Sequence, residues 1–97
     1  MDKLLQELGL DDYIGNYTSG KKSFVIDLNT DLDFGKVYSI LEDNDQVEQL
    51  DDTTLLTVHN ASIVYEYEDY QLTLKGNFDT EEYSLVIMEL KHEDSNN

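Results

Sequence analysis

Residues 62–90 constrain the fold more than any other part of the chain. "SIVYEYE" (62–68) alternates, with Ile63, Tyr65 and Tyr67 on one face and Glu66 and Glu68 on the other. "QLTLKGNF" (71–78) does the same, sending Leu72, Leu74 and Phe78 one way and Gln71, Thr73, Lys75 and Asn77 the other. Side chains of period two are the signature of strands, and short polar connections between them call for antiparallel neighbours. "EYSLVIMEL" (82–90) is apolar on both faces over several residues, which places it in the centre of the sheet. The polar alternates of the other two runs leave one face of that sheet wet.

The first half has a different period. Leu4, Leu5 and Leu8 share one helical face within 2–8, and Gly9 stands where a helix-ending glycine belongs, with Leu10 able to pack back on Leu5. "DDYIGNY" (11–17) supports one further helical turn at most, and "TSGKK" (18–22) has turn composition. "SFVIDL" (23–28) alternates Phe24, Ile26 and Leu28 as a strand. In "NTDLDFGKVYSILEDN" (29–44), Thr30 and Asp33 form a start signal, and Phe34, Val37, Ile40 and Leu41 line one face of a helix over about 31–43. "TTLLTV" (53–58) reads as a strand before a turn at His59-Asn60-Ala61. The expected fold is therefore α+β: an antiparallel sheet of four to five strands, one main helix on one face, and a short N-terminal helix. One domain over 1–91 and a flexible tail at 92–97 complete the expectation.

The composition of this frame excludes several functions. There is no cysteine, so disulfides, thiolate catalysis and cysteine-held metals are out. No secretory leader or membrane span is expected, because "MDKLLQELGLDDYIG" is too acidic and its apolar stretch too short; a cytoplasmic protein is the expectation. No cofactor is implied. The "NTDLDFG" stretch (29–35) mimics a calcium loop, but the required glycine falls on Phe34 and the closing glutamate on Ile40. Acids at a helix N-terminus facing the positive dipole end explain Asp31 and Asp33 instead. His59 sits in an expected turn and His92 in the expected tail, so no base stands beside a nucleophile, and the chain is expected not to be an enzyme. "DFG" (33–35) has no other kinase feature around it.

The outlying property is charge. Twenty-two acids against six basic residues give a net charge of −16, and all six basic residues are lysine. Nucleic acid and anionic membranes should repel such a chain. "EDNDQVEQLDD" (42–52) contains six acids, and no lysine or arginine occurs between Val37 and Leu74. A small domain stays soluble with a net charge of about 2–8 in magnitude, and the excess costs stability through self-repulsion. Sixteen charges equal those of about eight base pairs of duplex, a length of about 27 Å. A globule of this chain length is about 30 Å across. The expectation is that Asp43, Asp45, Glu48, Asp51, Asp52, Glu66, Glu68 and Asp69 form one acidic surface, with Tyr65, Tyr67 and Tyr70 adding flat contact area for a partner.

That surface suits a small acidic inhibitor of a basic nucleic-acid-binding protein, of anti-restriction, anti-CRISPR or nuclease-immunity type, from a phage or mobile element. Carboxylates would stand in for phosphates, and both monomer and dimer are compatible with this. The alternative is a non-enzymatic structural or adaptor domain whose acids serve solubility only; an uncovered sheet face or exposed edge strand would then mark its apolar interface.

Overall fold

A computed structural model describes residues 2–20, 23–52 and 60–90. These residues build one six-stranded antiparallel sheet with helices on one face, the α+β architecture that the periodicity implies. The strands are β1 (Tyr17–Ser19), β2 (Ser23–Leu28), β3 (Glu48–Asp52), β4 (Asn60–Tyr67), β5 (Tyr70–Asn77) and β6 (Glu82–Glu89), in the spatial order β1-β2-β6-β5-β4-β3. The doubly apolar run is β6, paired with β2 on one side and β5 on the other. Six strands exceed the expected four to five. The two unforeseen ones are the edges: β1 takes Thr18 and Ser19 out of the expected turn, and β3 comes from the acidic run. The strand expected at 53–58, His59 and the tail lie outside the described residues.

Helix α1 (Asp2–Leu8) ends as its sequence dictates. Gly9 adopts φ 80, its N–H bonds the carbonyl of Gln6 at 3.1 Å, and the Leu10 N–H reaches back to Leu5 at 2.7 Å. This paired closure satisfies two end carbonyls and brings Leu10 down beside Leu5, both fully buried. A 3₁₀ segment, Asp11–Asn16, leads into β1. Helix α2 (Asp31–Asp43) starts at Thr30, whose hydroxyl accepts the Asp33 N–H at 3.1 Å.

The core lies between the helices and one sheet face. Phe24, Ile26 and Leu28 of β2, Ile63 and Tyr65 of β4, Leu72 and Leu74 of β5, and Leu85 and Ile87 of β6 meet Leu4, Leu5, Leu8, Val37 and Leu41 from the helices. Phe34 at the start of α2 rests on Gly76, where an added Cβ would stand 2.9 Å from its ring, and leans on Tyr83 and Phe78. Gly76 thus takes the inward position beyond Leu74, while Phe78 falls just past the end of β5. Among the described residues nothing packs on the opposite, open face of the sheet, and no helix is long and apolar enough to cross a membrane.

Candidate functional site

Strand register decides which acids meet. Glu48 at the start of β3 lies directly opposite Glu66 of β4. Glu66 lies opposite Gln71 of β5, and Tyr67 opposite Tyr70, so Glu68 and Asp69 form the two-residue turn between β4 and β5. Glu68 takes φ 54, a left-handed conformation uncommon for a residue with a Cβ. The Asp69 carbonyl accepts the Leu90 N–H at 2.7 Å, which ties this turn to the end of β6.

The α2 C-terminus reaches the same end of the sheet. The Tyr65 hydroxyl donates to Glu42 at 2.8 Å, fixing the last turn of α2 over β4. Asn44 ends the helix, its side-chain carbonyl accepting the Gln46 N–H at 2.9 Å, and its backbone carbonyl accepts from Val47 at 3.0 Å. That turn carries exposed Asp45 between Asp43 and Glu48. Asp43, Asp45, Glu48, Glu66, Glu68 and Asp69 therefore gather at one end from two stretches of chain. Asp51 and Asp52 lie farther along β3, their backbones paired with Val64 and Ile63 beyond a bulge that leaves Leu50 48 % exposed.

Local stability does not account for the facing of Glu48 and Glu66. Asp43 stands at the negative end of the α2 dipole, whose last turn holds no basic residue. Like charges directly opposite on neighbouring strands destabilise a sheet, and no lysine among the described residues bridges Glu48 and Glu66. Lys75 lies four residues along β5 from Gln71, about 13 Å at strand rise. Lys36 precedes Asp43 by seven residues of α2, about 10 Å at helical rise. Lys3 stands one turn before Glu7 on α1. Acids on the β3 edge also block edge-to-edge pairing, which gives Glu48 a structural use, but Asp43, Asp45 and Glu68 lie off that strand.

The tyrosines do not behave as one group. Tyr65 and Tyr67 point into the core, 1 % and 5 % exposed, so neither ring offers contact area to a partner. Each instead sends its hydroxyl to a carboxylate, Tyr65 to Glu42 and Tyr67 to Glu7 at 3.2 Å. Burial raises the Tyr67 phenol pKa above its usual value of 10.0, helped by the charge of Glu68 and by the bonded Glu7. Tyr70 is half-buried against the core, opposite Glu89 of β6. Glu42, which opens the acidic run, joins this end, and so do Glu7 and Glu89, which their sequence surroundings do not single out. The available signal was the inward alternation of Tyr65 and Tyr67, since a buried phenol requires an acceptor.

A shallow cavity of about 650 Å³ lies at the other end of the sheet, among Asp27, Asn60, Lys75, Asn77 and Glu82. Its mixed charges converge on no single reacting position. Among the described residues no cluster of three possible ligands could hold a metal, and both histidines lie outside them. Compared with known proteins, the chain matches no family model, no curated protein and no solved structure.

Proposed function

We propose that this protein binds and inhibits a basic nucleic-acid-binding protein by presenting carboxylates where that protein takes phosphates. The observation that carries the reading is the gathering of Asp43, Asp45, Glu48, Glu66, Glu68 and Asp69 at one end of the sheet, with Glu48 and Glu66 directly opposed as like charges. Such a surface attracts a basic groove at long range and displaces the counterions held there. The role requires no catalytic group and no cofactor, and it belongs to the class of anti-restriction, anti-CRISPR and nuclease-immunity proteins.

The test has two parts. A protein captured by this chain from its own host is identified, and its nucleic-acid complex is then challenged with the chain. The proposal expects displacement of the nucleic acid without any binding of nucleic acid by the chain itself. Failure to displace it from a partner that is otherwise bound would refute charge mimicry. A second reading, an adaptor domain docking through apolar contact, draws support from the valines on the open face described below. It expects binding that changes little with salt.

A further inference from the structure

The register that pairs Glu48 with Glu66 also builds an apolar row beside them. Val25 lies opposite Val86, Val86 opposite Thr73, and Thr73 opposite Val64. The four residues cross β2, β6, β5 and β4 on the open face, about 14 Å at the usual strand spacing. All four are half-buried with no helix above them, and Met88 beside the row is 43 % exposed. An antiparallel sheet commonly leaves one face to solvent with polar side chains on it, so apolar side chains on the open face of a central strand are notable. On β6 these are Val86 and Met88, and the described residues cover only the opposite face.

We infer that this open face is the docking surface for the proposed partner, a basic protein that lays an apolar side chain on the valine row and a lysine or arginine against Glu48 and Glu66. This rests on the reading of the partner as basic. Charge selects the occupant. A second copy would bring two chains of net charge −16 face to face, and an acidic partner would meet the same repulsion. The valine row supplies an apolar floor, and Glu66 and Glu48 border it toward the β4–β5 turn, with Lys75 on its other flank beyond Thr73, the usual division between the core and rim of an interface. An arginine suits both parts, because its aliphatic stem packs on apolar surface while its guanidinium engages carboxylates.

The inference is tested on the full chain by following its backbone amides in NMR titrations with three short synthetic peptides. One alternates arginine with leucine, the second arginine with serine, the third glutamate with leucine. The arginine–leucine peptide is expected to shift the amides of Val25, Val64, Thr73 and Val86, and to bind about tenfold more tightly than the arginine–serine peptide. Combining Val25→Thr, Val64→Thr and Val86→Thr should remove that difference while the melting transition survives. If this variant fails to fold, the comparison of peptides on the unaltered chain decides alone.

Equal affinity for the two arginine peptides, or shifts centred on the helices, overturns the docking surface and leaves the basic-partner reading standing. No binding of either arginine peptide at low salt overturns both. Binding of the glutamate–leucine peptide on the row, or shifts at these amides that follow protein concentration alone, assigns the face to an acidic partner or a second copy and overturns the inference.

Discussion

The two faces of the sheet use the same residue type in opposite ways. On the covered face, Glu42 and Glu7 accept hydrogen bonds from the phenols of Tyr65 and Tyr67, so each carboxylate satisfies a donor that burial would otherwise strand. On the open face, Glu48 and Glu66 stand opposite each other with no lysine among the described residues between them. The difference teaches that an acid count is uninformative by itself. Placement separates carboxylates that serve the fold from those that burden it.

Strand β6 offers the largest effect, because it contributes to both faces. Leu85 and Ile87 are fully buried beneath the helices, whereas Val86 between them faces outward and is half-buried. Truncating Leu85 or Ile87 to alanine should cost about 2–5 kcal/mol, read from denaturant midpoints. Val86→Thr should cost under about 1 kcal/mol, since it keeps shape and strand preference. Equal losses at Leu85 and Val86 would mean that both faces are covered in solution.

The covered face can be sharpened at Tyr65. Replacing it with phenylalanine removes the donor to Glu42 and should cost about 1–2 kcal/mol. An alkaline titration examines the same face. The phenols of Tyr13, Tyr67 and Tyr83 are all raised above 10.0, each chiefly by burial. A raised phenol pKa means that the folded state holds its proton more tightly than the unfolded state. That contribution is complete below pH 10 and is lost as pH climbs through the folded values. Thermal midpoints should therefore fall as pH passes 10, and a midpoint that stays level there would contradict the raised values.

On the open face the sign should reverse. Glu48→Gln or Glu66→Gln removes a like-charge contact and should stabilise the fold by about 0.2–1 kcal/mol. The gain should shrink as salt rises and shortens the screening length from about 30 Å at 0.01 M to about 10 Å at 0.1 M. A loss of stability in either variant would show that the pair serves the fold after all.

These contrasts also mark what was legible in the sequence. The central place of β6 could be read because Leu85, Val86, Ile87 and Met88 are apolar in succession, which puts apolar side chains on both faces and suits an interior strand better than an edge. Helix α2 could be read from Thr30 and the spacing of Val37 and Leu41. The edge strands could not. Tyr17 of β1 closes a stretch that reads as a helical turn at most and Thr18 and Ser19 open one of turn composition, and "EQLDD" of β3 lacks alternation; it is a strand because β4 presents an edge to pair with. The acids beside Tyr65 and Tyr67 suggest a partner surface, but their alternation with Ile63 turns both rings inward. The meeting of Glu48 with Glu66 depends on the register between β3 and β4, which no local pattern encodes.

The central claim is that the acids gathered at the β3 end are kept for another molecule at the expense of the fold. It is tested most directly by measuring stability and nucleic-acid displacement in one variant, Asp43→Asn with Asp45→Asn and Glu48→Gln. The account predicts a melting temperature equal to or above that of the parent chain, together with weaker displacement of nucleic acid from the captured partner and a shallower dependence of that displacement on salt. A lower melting temperature with displacement unchanged would contradict it.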